Sequence, residues 1–105
     1  MLDAWDALEN EVERIVEDSS EPFDGDTLIQ CRELVEQIRG RVLIPKVGRG
    51  YWPTICLSWD EWQIEIFADR YELYRFSQGR FDLQYFQHSL GDPVPTQLLE
   101  RLPTS

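Results

Sequence analysis

Thr54-Ile55-Cys56-Leu57-Ser58-Trp59-Asp60-Glu61-Trp62-Gln63-Ile64-Glu65-Ile66-Phe67-Ala68 carries the period that decides the fold. Ile55, Leu57 and Trp59 alternate with Thr54, Cys56 and Ser58. After Asp60-Glu61, Trp62, Ile64, Ile66 and Ala68 alternate with Gln63, Glu65 and Phe67. In a strand successive side chains point to opposite faces, so each run lays its apolar set on one side of a sheet. Asp69-Arg70 turns the chain again, Tyr71 and Leu73 continue the apolar face, and Gly79 closes a further turn before Phe81, Leu83 and Tyr85. Short alternating runs joined by tight turns predict an antiparallel meander of four strands over residues 54–88.

Register in the last hairpin follows from the same pattern. A three-residue loop, Ser77-Gln78-Gly79, places glycine at the left-handed position and pairs Leu73 with Leu83 and Tyr71 with Tyr85. A two-residue loop, Gln78-Gly79, puts Leu73 opposite Gln84 and splits the apolar set, so the three-residue loop is expected. The inner face is then Ile55, Leu57, Trp59, Ile64, Ile66, Leu73, Phe81, Leu83 and Tyr85. The outer face carries Phe67, Tyr74, Phe76 and Phe86 among Gln63, Glu65, Glu72, Asp82 and Gln84.

Upstream of the sheet the period is helical. Trp5, Leu8, Val12, Ile15 and Val16 recur at three- and four-residue steps, predicting an amphipathic helix over 2–18. Ser19-Ser20-Glu21-Pro22-Phe23-Asp24-Gly25 is a loop. Asp26 is the expected N-cap of a second helix, Thr27 to Arg39, whose apolar face is Leu28, Cys31, Val35 and Ile38 with Leu34 beside it, and Gly40 stands where a left-handed cap is needed. Pro45, Gly48, Gly50 and Pro53 make residues 41–53 a connector, locally basic through Arg41, Lys46 and Arg49. After Pro93-Val94-Pro95, Leu98, Leu99 and Leu102 suggest a short helical turn. The fold class is therefore α+β, one domain over 1–105: a helical hairpin (1–40) packed on the sheet, with a tail from 89 to 105. A chain of 105 residues with 42% hydrophobic content is of ordinary domain size and can build one core.

Charge is the strongest compositional signal. Twenty acids oppose ten bases, for a net charge of −10. Such a surface repels nucleic acid and anionic membranes and attracts basic protein surfaces. The acids are concentrated: residues 1–26 hold ten of them against Arg14 alone. On the first helix Asp3, Asp6, Glu9, Glu13 and Glu17 fall on one arc, with neighbouring carboxylates about 5–6 Å apart. That spacing is close to that of phosphates along a nucleic-acid strand, and a solvated helix face accounts for the same residues.

Catalytic chemistry is poorly provisioned. His88 is the sole histidine, neither cysteine sits in a nucleophile motif, and Gly48-Arg49-Gly50 lacks the length and Lys-Ser/Thr ending of a phosphate-binding loop. Glu21, Asp24 and Asp26 around Gly25 lack calcium-loop spacing, and Asp60-Glu61 reads as a turn. No enzyme activity, cofactor or metal is expected. Cys31 and Cys56 read as buried free thiols of a reducing compartment. The apolar run Val42-Leu43-Ile44 is far short of the roughly 20 residues of a membrane span. The first residues lack the basic and apolar regions of a signal peptide, so a cytoplasmic protein is expected, in a host cytoplasm if phage-encoded.

The expectation is a non-enzymatic inhibitor or regulator that docks on a basic, nucleic-acid-binding surface of a partner protein. Antitoxins, immunity proteins and phage anti-defence proteins are analogues in size and charge only. Binding would use Asp3, Asp6, Glu9, Glu13 and Glu17 for steering and Phe67, Tyr74, Phe76 and Phe86 for affinity, without direct nucleic-acid or membrane contact. The alternative is an accessory subunit or homodimer built on the aromatic sheet face.

Overall fold

A computed structural model describes residues 3–104 of the chain. Two helices, α1 (Ala4–Asp18) and α2 (Gly25–Ile38), precede strands β1 (Lys46–Arg49), β2 (Ile55–Ser58), β3 (Trp62–Ile66), β4 (Arg70–Ser77) and β5 (Arg80–Gln87), and one helical turn, α3 (Thr96–Leu99), follows. The strands form one antiparallel sheet in sequence order. The α+β architecture matches the sequence reading, with five strands in place of four.

The fifth strand is β1, inside the expected connector. Lys46, Val47, Gly48 and Arg49 pair with Ser58, Leu57, Cys56 and Ile55. Only Val47 supplies an apolar side chain, so the segment has no alternation to read. The β2 ladder, not intrinsic propensity, makes it a strand.

Helix boundaries differ by a residue or two from the expected ones. Asp3 caps α1, its Oδ1 accepting from Asp6 N at 2.8 Å. The expected start at residue 2 lies outside the described residues. Asp24, and not Asp26, caps α2, accepting from Asp26 N at 2.8 Å. Gly40 takes φ +77 just past α2, the left-handed conformation anticipated for it.

The core lies between the helices and one sheet face. Leu8 and Val12 from α1 and Cys31, Leu34, Val35 and Ile38 from α2 are buried with Ile55, Leu57, Ile64, Ile66, Tyr71 and Leu73. Leu98, Val94 and Leu102 close the core from the tail, which is tied back by the Val42–Thr104 bridge and by Leu43 N donating to Pro103 O at 2.9 Å. Trp59 is buried too, its Nε1 donating to Leu43 O at 2.7 Å.

The last hairpin differs from its expected register. Ser77 pairs with Arg80, leaving the two-residue loop Gln78-Gly79; Leu73 pairs with Gln84, Tyr71 with Phe86, Tyr74 with Leu83 and Phe76 with Phe81. Gln78 (φ +50) and Gly79 (φ +77) are both left-handed, the signature of a type I′ turn, whose twist suits a hairpin. Turn geometry prevails over apolar alternation because β5 lies at the sheet edge. Its inner side is only partly covered, so turning Phe81, Leu83 and Tyr85 outward forfeits little burial.

Two corrections follow. Phe86 is on the core side and packs against it, not on the outer face; Phe81 and Tyr85 are on the outer face, each 63% exposed, not in the core.

Candidate protein-interaction surface

Three patches hold the residues on which a binding function could draw: the α1–α2 layer, the outer sheet face and the His88 corner.

The α1 carboxylates lie beside α2 arginines. Arg39 reaches Asp3 Oδ1 at 3.4 Å and makes a short contact with Asp6; Arg32 stands 3.6 Å from Glu13. Glu9 lines the groove between the helices with Val12, Cys31, Arg32 and Arg39, and Glu17 is exposed without an ion pair among the described residues. The stripe is therefore partly compensated: three of its five carboxylates face arginines of the same chain. These side chains are a third or more exposed, so each pair stabilises the fold by under about 1 kcal/mol. The layer as a whole stays acidic, with twelve acids and three arginines in residues 3–39.

On the outer sheet face, pairing sets two rows across the strands. One runs Gly48, Cys56, Glu65, Glu72, Tyr85; the next runs Lys46, Ser58, Gln63, Tyr74, Leu83. Glu65 and Glu72 face each other and are buried. Each is held by donors: Glu65 Oε2 accepts from Thr54 Oγ1 at 2.6 Å, and Glu72 accepts from Arg70 Nε and the Tyr74 hydroxyl, both at 2.7 Å. Burial and then the bond to Glu72 push the Tyr74 hydroxyl well above its usual range. Gly50 folds over Glu65 so closely that a Cβ there would stand 2.0 Å from Thr54 Oγ1 and 2.7 Å from Glu65 Oε2. The glycine is needed for that approach.

Of the expected aromatics, Tyr74 and Phe76 stack with centroids 6.2 Å apart, and Phe76 meets Phe81 at the same distance. Phe67 is half-buried under the Arg70 guanidinium, 3.9 Å from the ring centroid. Tyr51 and Trp52 form an exposed edge-to-face pair in the β1–β2 loop. The outer apolar strip is thus Tyr74, Phe76, Phe81, Leu83 and Tyr85. The last three follow from the hairpin register, which apolar alternation in the sequence misassigned; the Gln78-Gly79 dipeptide was the signal for it.

His88 is buried in a hydrogen-bonded corner. The Gln30 amide donates to Ala68 O at 3.2 Å and to His88 O at 2.7 Å, which turns its Oε1 toward His88 Nδ1. His88 Nε2 faces Asp92 O at 2.8 Å. Both ring nitrogens thus lie within hydrogen-bond distance of an oxygen. Glu33 Oε2 lies 3.8 Å from Nδ1, buried and without a hydrogen-bond partner among the described residues, and Glu33 Oε1 accepts from Gly91 N at 2.8 Å. The ring ties the end of β5 to α2 and to the following loop.

Cys31, on the core side, and Cys56, on the outer face, are free and buried. Burial, then Glu9, pushes the Cys31 thiol up to about 12; burial, then Glu65, pushes Cys56 up to about 11. Both are neutral thiols near pH 7, with little nucleophilic character. Among the described residues no group of three or more His, Cys, Asp or Glu is placed to hold a metal ion, and no helix is long and apolar enough to cross a membrane. Comparison with protein-family models, curated proteins and solved structures finds no match to this chain.

Proposed function

We propose that the chain is a non-enzymatic protein-binding module, of the regulator or inhibitor type, whose acidic helical layer draws it to a basic surface on a partner protein. One observation carries this reading: charge and aromatic surface are segregated. The α1–α2 layer holds twelve acids against three arginines, whereas residues 70–88 hold three arginines against two acids and the exposed aromatic strip. A field of one sign over one face raises encounter rates with the opposite sign, and aromatic surface supplies affinity once partners meet. The support is for a negative layer, not a phosphate-spaced row, since Asp3, Asp6 and Glu13 lie against arginines of the chain itself. Among the described residues, Glu9 and Glu17 are the stripe acids outside ion pairs.

Association kinetics with a basic partner captured at low salt test the reading. Raising the salt from about 20 to 300 mM should slow association by roughly tenfold or more, with little change in dissociation. Replacing Glu9 and Glu17 together by lysine should reproduce that loss at low salt. An association rate indifferent to salt and to both substitutions refutes the steering role.

A further inference from the structure

We infer that β5 is a pairing edge for a second copy of this chain, joined antiparallel about a two-fold axis at Leu83. This goes beyond the acidic-layer reading: it needs none of the α1 carboxylates, and it gives the β5 part of the aromatic strip an occupant.

The backbone is prepared for it. His88 N donates to Asp69 O, so even-numbered β5 residues turn their N–H and C=O toward β4, and Phe81, Leu83 and Tyr85 turn theirs to the open side. No backbone hydrogen bond reaches those three from that side among the described residues. Open edges are normally blunted by lysine and other charges, proline, a bulge or a covering segment, and of these β5 carries only Arg80 and the inward-facing Asp82. Arg80–Gln87 contains neither lysine nor proline, its pairing with β4 is unbroken over eight residues, and six of the eight are exposed.

The side chains select one register. With Leu83 opposite Leu83 of the second copy, Phe81 faces Tyr85 on the outer side, and the two aromatic strips become one band. On the inner side Asp82 faces Gln84, an amide able to donate to it. Centring on residue 82 sets Asp82 against Asp82; centring on 84 sets Asp82 against Phe86 and Phe81 against Gln87. The favoured register closes about six inter-strand hydrogen bonds.

The self-complementary register names a second copy as the occupant, and charge does not oppose it at this edge. A chain of net charge −10 resists its own copy at most of its surface, but residues 70–88 carry a small positive excess. The acidic α1 packs over β1, at the opposite edge of the sheet. With strands about 4.8 Å apart, edge pairing holds the two β1 strands roughly 43 Å apart, several times the Debye length of about 8 Å.

Sedimentation equilibrium of the wild-type chain should give twice the 12.4 kDa chain mass; a monomer at about 100 µM overturns the proposal. Cysteine crosslinking reads the register. Facing residues of a hydrogen-bonded pair stand about 5.5 Å apart at Cα, within disulfide reach. Under mild oxidation Leu83→Cys should become a covalent dimer in high yield. Phe81→Cys and Tyr85→Cys should each stay uncrosslinked alone, their like positions about 13 Å apart along the strands, and should crosslink when mixed. Equal crosslinking at all three positions, or none at Leu83→Cys in a protein whose circular dichroism is native, overturns it. The wild type, with buried Cys31 and Cys56, is the uncrosslinked control.

Discussion

Replacing Gly50 by alanine tests the account of the outer sheet face. The new Cβ would lie 2.0 Å from Thr54 Oγ1, 2.7 Å from Glu65 Oε2 and 3.3 Å from Cys56 Sγ. The first two atoms are partners in the 2.6 Å hydrogen bond that satisfies Glu65, a carboxylate only 9% exposed. The methyl group cannot be accepted while that bond persists. Losing a hydrogen bond to a charged group costs about 1.5–3 kcal/mol, and residual overpacking adds about 1 kcal/mol or more. The sum, roughly 3–4 kcal/mol, would lower the melting temperature of a domain this size by well over 10 °C. Urea unfolding followed by circular dichroism gives the free energy directly. A second measurement isolates the cause: in a Thr54→Ala background the hydroxyl is gone, so Gly50→Ala should cost at least about 1 kcal/mol less than in the wild type. A Gly50→Ala protein within about 0.5 kcal/mol of wild type, or strict additivity with Thr54→Ala, would refute the close approach as described.

Removing the His88 ring by His88→Ala should destabilise the chain by about 3 kcal/mol in the same urea assay, since it takes away the ring partners of Gln30 Oε1 and Asp92 O and opens a buried void; a change under 1 kcal/mol would assign the corner no structural role. Arg39→Ala should cost less than about 1 kcal/mol, and the loss should shrink further in 0.5 M salt, because its pairs with Asp3 and Asp6 are solvent-exposed. Because Cys31 and Cys56 are raised from 9.0 to about 12 and about 11, the unfolded chain loses those thiol protons first as pH climbs. The protection is thus complete below pH 9 and should be lost progressively above it, seen as a falling urea midpoint between pH 9 and 11, while native protein resists iodoacetamide at pH 8.

What the sequence makes legible is periodicity, and periodicity is strongest where one face is fully buried. Leu8, Val12, Cys31, Leu34, Val35 and Ile38 mark the helices, and Ile55, Leu57, Ile64, Ile66 and Leu73 the central strands; all are buried. β1 leaves no such trace, because Lys46, Gly48 and Arg49 are not core residues and the strand exists only as a partner of β2. Ion pairing across α1 and α2 is equally invisible, because the reach of Arg39 to Asp3 and Asp6 depends on how two helices cross. A carboxylate arc in sequence fixes a helix face but not what lies against it. Glu65 and Glu72 read as solvated outer-face acids; the fold buries them by closing Gly50 and Thr54 on one and Arg70 and Tyr74 on the other.

The β4–β5 hairpin carries this lesson further, since two local signals conflict there. Apolar alternation favours Phe81, Leu83 and Tyr85 inward, which needs a three-residue loop. Gln78-Gly79, with both residues left-handed, makes a two-residue turn that sends them outward. In a strand buried on one face the first signal would decide, because a slip forfeits the burial of every apolar side chain. At an edge half open to solvent that penalty is small, and the turn decides instead. The cost is an apolar strip left in water on an unprotected edge, a local inconsistency that an isolated domain gains nothing by keeping. Such inconsistencies concentrate where another surface completes the structure. The same register that exposes Phe81, Leu83 and Tyr85 also turns their backbone donors and acceptors to the open side, so side-chain and main-chain deficits coincide on three residues. A second strand satisfies the main chain and covers the flank of the side-chain strip at once, whereas a face-to-face contact between aromatic strips would leave the main chain unpaired.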